Sequence, residues 1–133
     1  MKALVLGCLL VCAFILGGCG SADLPTGSPI QVDSGSNGQL VVLARDQTLE
    51  VSLEANPSTG YTWEVATIDE SILRLLGEPQ FLPESSAVGA GGTQTFRFEA
   101  AGTGQTDLRL VYRRPWEQGV APLQAFSLNV VVR

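Results

Sequence analysis

The sequence predicts an all-β domain, an immunoglobulin-like antiparallel β-sandwich of about seven short strands. Several short segments alternate apolar and polar residues with a period of two, and Gly, Pro and Asn separate them. Residues 39–133 have about the size of an immunoglobulin domain. The Cys…Trp…Cys spacing of antibody domains is missing, which argues against an antibody relative but not against this architecture.

The predicted strands follow one another from residue 40 to residue 132. Segment 48–54 shows the alternation most clearly, because Leu49, Val51 and Leu53 share one face while acidic and hydroxyl side chains take the other. The other predicted strands are 40–44, 61–66, 95–100, 106–113 and 125–132. Segment 69–78 is compatible with a helical turn capped by Asp69 or with a short strand containing Ile72, and the strand is preferred.

Residues 1–18 resemble a bacterial lipoprotein signal peptide. Lys2 precedes an uncharged apolar run, 3–16, that is shorter than the roughly 20 residues needed to span a membrane. The run ends in Leu-Gly-Gly followed by Cys19, which resembles the lipobox. This resemblance implies cleavage before Cys19, lipidation of Cys19 and a lipid anchor in the bacterial cell envelope, outside the cytoplasm. The alternative is a plain secretory signal with a chance cysteine.

Residues 19–38 are rich in Gly, Ser, Pro and Asp, a composition typical of a flexible tether. The sequence therefore predicts a lipidated tether at 19–38 and a β-sandwich domain at 39–133. One alternative within the tether is that Ile30 and Val32 dock as an edge strand.

The composition excludes several kinds of chemistry. The chain has no histidine, so it cannot form a Ser-His-Asp triad, and all three cysteines lie within the first nineteen residues. A His/Cys zinc site is therefore not available after position 19. Residues 19–133 carry seven Arg against thirteen Asp and Glu, or 7 − 13 = −6, which is unsuited to nucleic acid. We expect a monomer that is not an enzyme, with no metal and no cofactor.

Three segments between the predicted strands are candidates for binding. The first loop is 56–61, "NPSTGY"; the second loop is 88–93, "VGAGGT"; the third loop is 113–120, "RRPWEQGV". Immunoglobulin connectivity would gather all three at one end of the sandwich. Each also has a structural interpretation, since Pro57 and Gly60 suit any turn and Trp116 could pack back onto a sheet.

Taken together and in this order, the three loops resemble those of the chagasin family of cysteine-peptidase inhibitors. The first is similar to that family's Asn-Pro-Thr-Thr-Gly-Tyr/Phe, the second to its Gly-x-Gly-Gly and the third to its Arg-Pro-Trp/Phe. Ser58 departs from the usual Thr. The resemblance implies reversible, non-covalent inhibition of papain-like cysteine peptidases, with the first loop in the active-site cleft and the others beside it. The implied peptidase-binding residues are Asn56, Pro57, Ser58, Thr59, Gly60, Gly89, Gly91, Gly92, Thr93, Arg114, Pro115 and Trp116.

Some roles stay open at this point. Trp116 is expected to be the main anchor, since buried Trp is enriched among the residues that dominate binding energy. Arg114 could pair with an acidic rim on the peptidase or only solvate the third loop. Tyr61 and Trp63 are expected to be core anchors for the first loop. The alternative function is an envelope-anchored immunoglobulin-like adhesion or assembly protein without peptidase inhibition.

Overall fold

The computed structural model describes residues 27–133, which form nine β-strands in two sheets packed face to face. One sheet has the order β1-β3-β7-β5, with β6 also paired to β7, and the other has the order β2-β9-β8-β4. The strands are β1 Ile30–Val32, β2 Leu40–Leu43, β3 Thr48–Ala55, β4 Thr62–Thr67, β5 Leu73–Leu75, β6 Gln80–Pro83, β7 Gly92–Ala100, β8 Gly104–Arg113 and β9 Gln124–Val132. The predicted signal peptide and Cys19 lie outside the described residues. Within 27–133, no helix has the length and apolar character needed to cross a membrane.

The alternation read from the sequence places the core side chains correctly. Leu49, Val51 and Leu53 of β3 are all buried, while the residues between them face outward. The same pattern holds on the other long strands, whose largest fully buried side chains are Phe96, Phe98, Leu108, Leu110, Phe126, Leu128 and Val130. Removing this apolar area from water is the main favourable term in folding. The prediction of an all-β immunoglobulin-like sandwich is confirmed.

The sheets are mixed rather than purely antiparallel, and the strands number nine rather than about seven. β1 pairs with β3 in parallel, and β2 pairs with β9 in parallel. β1 and β2 are consecutive along the chain but belong to different sheets, so they cannot form a hairpin with each other. Each instead adds to an existing edge. The periodicity of a single strand carries no information about the direction of its neighbour.

The domain begins before residue 39, which corrects the predicted boundary between tether and sandwich. Ile30 and Val32 are half-buried against the core, and their strand pairs with residues 49–51. Asp33 then caps a short 3-10 turn, Ser34–Ser36, by accepting a 2.9 Å hydrogen bond from the Gly35 N–H. The edge-strand alternative is therefore correct for 30–32. The composition of 19–38 did not indicate this strand, because the many Gly and Ser residues of the segment outweigh its two apolar side chains.

Segment 69–78 combines both structures considered for it. Asp69 accepts hydrogen bonds from the hydroxyl and the backbone N–H of Ser71, which lower the pKa of the Asp69 carboxyl. The backbone N–H groups of Ile72 and Leu73 donate to the Asp69 carbonyl and close one turn. A strand then follows as β5, Leu73–Leu75, with Leu73 as its buried residue, whereas Ile72, which the predicted strand contained, lies in the turn. β6 was not predicted, because none of its four residues is buried and its apolar and polar residues do not alternate.

Candidate functional site

The three candidate loops meet at one end of the sandwich, which we call the loop edge. The first loop joins β3 to β4, the second lies in the β6–β7 connection (84–91) and the start of β7, and the third lies in the β8–β9 connection (114–123). Ala55 pairs with Gly92 and Thr62 pairs with Arg113, so all three connections leave the sheets at the same end. The predicted gathering of the loops is observed.

The first loop is a turn bonded to itself. Pro57–Thr59 form a 3-10 turn, in which Asn56 accepts hydrogen bonds at its carbonyl from the Thr59 N–H (3.1 Å) and the Thr59 hydroxyl (2.6 Å). The Ser58 hydroxyl donates to the Asn56 side-chain oxygen. Gly60 ends the turn with φ 85°, a left-handed conformation that glycine adopts without steric cost. Pro57, Ser58 and Thr59 are all exposed to solvent.

A cluster of three aromatic side chains packs between this turn and the core. The Asn56 N–H donates to the hydroxyl of Tyr112 at 2.9 Å. The Tyr112 ring lies 5.4 Å from the ring of Tyr61 and 5.1 Å from that of Trp63, centroid to centroid. Trp63 is buried and donates from its indole nitrogen to the carbonyl of Glu54. The expectation that Tyr61 and Trp63 are anchors is therefore met by their packing. The role of the Tyr112 hydroxyl was missed, although a buried Tyr usually needs a hydrogen-bond partner.

A buried amide joins the two sheets beneath the loop edge. Gln94 on β7 accepts a hydrogen bond from the Trp63 N–H (3.1 Å) and donates one to the Trp63 carbonyl (3.2 Å). A buried amide that is satisfied in this way fixes the relative position of its two strands. The buried position of Gln94 was not predicted, because the alternation along β7 predicts an apolar residue at that place.

The second loop is braced against the first. The Asn56 side-chain amide donates to the carbonyl of Gly89 at 3.3 Å. Gly89 has φ 79°, which gives a conformational reason for glycine there. The N–H of Glu84 donates to the carbonyl of Gly91 at 2.9 Å and closes the base of the connection. Asn56 therefore links both loops.

Gly92 has a structural role besides the contact predicted for it. It is buried in β7, and a Cβ there would lie 2.7 Å from the Cα of Pro83 and collide with the carbonyl oxygen of Leu82. Glycine at this position allows β6 to approach β7, and the contact of Gly92 with a peptidase stays a prediction. Thr93 follows it in β7, half-buried and paired with Leu82 and Glu54.

Arg114 ties the third loop to the first. Its Nε donates to the carbonyl of Thr59 at 3.0 Å, and its Nη1 forms a 3.2 Å ion pair with Glu117. The guanidinium carbon lies 4.5 Å from the centre of the Tyr61 ring. The neighbouring Arg113 donates hydrogen bonds to the carbonyls of Pro115 and Glu117 and forms an ion pair with Glu64. These contacts hold the backbone of the third loop.

Trp116 is the most prominent side chain of the third loop. It is 67% exposed, so it does not pack back onto the sheet. Its ring lies directly over Gly60, where an added Cβ would be 2.9 Å from the ring atom Cζ2. The first and third loops therefore touch through a glycine and an indole as well as through Arg114.

The loop edge presents an exposed surface. Among residues 27–133 there is no group of three or more His, Cys, Asp or Glu side chains that could hold a metal ion. The loop edge instead displays an exposed turn flanked by exposed apolar side chains, Val88 on one side and Trp116 on the other. Aromatic residues such as Trp116 are enriched at protein-binding surfaces.

The chain is similar in sequence to known peptidase inhibitors. The sequence model described as chagasin family peptidase inhibitor I42 matches residues 42–130. Amoebiasin-2 of Entamoeba histolytica is 33% identical over 89 residues, covering 64% of this chain and 70% of that protein. Chagasin of Trypanosoma cruzi is 33% identical over 91 residues, covering 65% of this chain and 82% of that protein.

A solved structure agrees with these relatives. The crystal structure of a cysteine protease inhibitor from Entamoeba histolytica superposes with a TM-score of 0.71 at 25% identity. The match covers 80% of this chain and 96% of that one. The residues matched by the family model, 42–130, include all three loops of the loop edge.

Proposed function

This chain belongs to the chagasin family of peptidase inhibitors, and from that premise we propose that it inhibits papain-like cysteine peptidases reversibly and without a covalent bond. The observation that carries the proposal is the loop edge itself. Three loops are joined there into one unit by side-chain contacts, and the unit displays the exposed turn 57–59. A rigid unit loses less entropy on docking than three separate loops would.

The first loop suits a peptidase cleft because its peptide bonds are not held in the extended conformation that a peptidase cleaves. Such a cleft accepts a substrate as an extended peptide. Residues 57–59 form a 3-10 turn, and Pro57 fixes its own backbone while three hydrogen bonds onto Asn56 hold the turn closed. The loop can therefore offer backbone and hydroxyl groups beside a catalytic cysteine without presenting an extended bond.

The other two loops would contact the rims of the cleft. We assign the anchor role to Trp116, whose exposed ring would be buried on binding, and a smaller role to the second loop. Thr93, half-buried in β7, retains only a marginal contact role. The remaining proposed members of the binding surface are Arg114, which links the first and third loops, and Asn56, Pro57, Ser58, Thr59, Gly60, Gly89, Gly91, Gly92 and Pro115.

The test is a titration of residues 27–133 against papain with a fluorogenic peptide substrate. We expect competitive, reversible inhibition. Trp116→Ala should weaken inhibition by about 2 kcal/mol or more. A Ser58/Thr59 double alanine variant should also weaken it, because two of the hydrogen bonds onto Asn56 disappear. An unchanged inhibition constant for both variants would contradict this mode of binding.

The relatives do not support the alternative of an adhesion or assembly protein, because they are peptidase inhibitors. For the same reason the chain is an inhibitor and not an enzyme. We further propose that it acts as a monomer. Size-exclusion chromatography with light scattering should then give a single species with the mass of one chain.

We propose in addition that the inhibitor is anchored to the bacterial cell envelope by lipid on Cys19. The sequence "LGGC" at 16–19 supports this proposal, and so does the position of β1, which leaves about ten residues between Cys19 and the first strand. Replacing Cys19 with Ala should release the protein from the membrane fraction, while inhibition by the released domain stays unchanged. Retention of that variant in the membrane fraction would contradict the anchor.

A further inference from the structure

The Arg114 side chain is engaged by its own chain in three directions. Nε donates to the Thr59 carbonyl, Nη1 pairs with Glu117, and the guanidinium plane covers the Tyr61 ring. Its side chain is 37% exposed. Within residues 27–133, no other donor reaches the Thr59 carbonyl oxygen. Arg114 is therefore the protein group that bonds this carbonyl and links the outer side of the first loop to the third loop.

We propose that Arg114 is a positioning residue, which holds the first and third loops together as one rigid unit before a peptidase is met. This inference rests on the proposed inhibition of cysteine peptidases. Arg114 then contributes to affinity through the order of Thr59, Gly60 and Trp116, and not through a charge contact with an acidic rim on the enzyme.

The contacts around Gly60 explain how this works. Thr59 is bonded to Arg114, and Gly60 lies beneath the Trp116 ring, so one turn of the first loop meets the third loop at two adjacent residues. Without the guanidinium, the Trp116 ring would rest on Gly60 alone. The loops would then sample open arrangements, and the apparent affinity would be multiplied by the fraction of molecules that stay in the closed one.

Lysine cannot replace arginine in this role. The planar guanidinium donates in two directions while stacking on an aromatic ring, whereas an ammonium is a point charge without a stacking face. A direct charge contact with a peptidase would be largely preserved in Arg114→Lys. A positioning role would be lost in Arg114→Lys almost as fully as in Arg114→Ala.

The experiment compares Arg114→Ala, Arg114→Lys and a charge control, Arg97→Ala. Arg97 also pairs with one glutamate, Glu50, but it lies in the middle of β7 and its side chain is 55% exposed. Two properties are measured: the inhibition constant against papain and amide hydrogen exchange at residues 59–61 in the free protein. We expect both Arg114 variants to raise the inhibition constant about tenfold or more and to speed exchange at 59–61. Arg97→Ala should change neither property.

Other outcomes overturn the proposal. If Arg114→Lys inhibits within about twofold of wild type, the charge and not the planar group matters. If Arg114→Ala weakens inhibition while exchange at 59–61 stays slow, Arg114 contacts the peptidase directly. An unchanged inhibition constant for Arg114→Ala also excludes the role. If wild-type protein fails to inhibit, the proposed function falls, whereas the exchange data still decide whether Arg114 orders the first loop.

Discussion

At the end of the sandwich opposite the loop edge, the connections are shorter, and backbone hydrogen bonds join them to the sheets alongside side-chain hydrogen bonds of Gln47 and Thr106. Residues 44–47 and 101–103 join strands there, and the Asp46 N–H donates to the Ala100 carbonyl while the Ala100 N–H donates to the Gln47 carbonyl. At the loop edge the connections are longer, and side chains bridge them. Asn56, Tyr112 and Arg114 each link two different segments of that edge.

This difference separates stability from binding within one small domain. Backbone hydrogen bonds between adjacent strands are part of the sheet, so their loss unfolds the sandwich. Side-chain bridges between loops can be lost while the sheets remain paired. Substitutions at the loop edge should therefore change inhibition more than unfolding, and substitutions at the opposite end should do the reverse. Four experiments test this division.

The largest effect on inhibition is expected from Gly60→Ala. The added methyl would collide with the Trp116 ring, which is exposed and can swing away, so the indole leaves its position while the fold survives. We expect a loss of about 2–4 kcal/mol in binding papain. Gly119→Ala is the matched control, because Gly119 also has positive φ and lies in the third loop but has no atom within 4 Å of an added Cβ. Equal losses from both variants would mean that backbone strain, and not the Trp116 contact, is responsible.

At the opposite end, Gly102→Ala should affect stability alone. A Cβ at Gly102 would lie 2.5 Å from the backbone carbonyl oxygen of Ser71, and neither backbone can move without disturbing the turn that precedes β5. We expect the free energy of unfolding to fall by about 1–3 kcal/mol. The inhibition constant of the folded fraction should stay the same. A parallel loss of inhibition would show that the two ends are coupled.

A smaller effect is expected from Tyr112→Phe. This change removes only the hydroxyl that accepts the Asn56 N–H, and it leaves the ring packing intact. We expect binding to weaken by about 1 kcal/mol. Tyr61→Phe is the control, since within residues 27–133 the Tyr61 hydroxyl has no hydrogen-bond partner. Urea unfolding of both variants would show whether the loss lies in binding or in the stability of the fold.

The smallest effect is expected from pH. The sequence from 27 to 133 has no His, Cys or Lys, so no side chain there has an ordinary pKa between 5 and 8. The urea midpoint of the free protein should therefore be flat across that range. The lowered pKa of Asp69 stabilises the folded state above the ordinary value of 3.8, and this contribution is lost as pH falls through the lower, folded-state pKa. Asp69→Asn should reduce the change of the urea midpoint below pH 4. If the midpoint of the variant falls with pH as steeply as that of the wild type, other carboxyls are responsible.

Much of the fold and part of the site could be predicted from the sequence. The period of two identified six strands and their buried faces, and the three loop motifs located the loop edge. β1 and β6 were harder, because β1 has only two apolar residues in a Gly- and Ser-rich segment and β6 buries none of its side chains. Pairing with a neighbour defines both strands, and local sequence does not encode pairing partners.

The sequence by itself determined which residues lie in the core, because burial follows from the alternation of apolar side chains along each strand. It also determined that the chain carries the loop motifs of its family. Only the tertiary structure decided what several loop residues do. Gly92 is glycine because β6 lies against it, and Arg114 turns inward to Thr59, Tyr61 and Glu117. These roles depend on contacts between segments far apart along the chain, and such contacts exist only once the two sheets have packed.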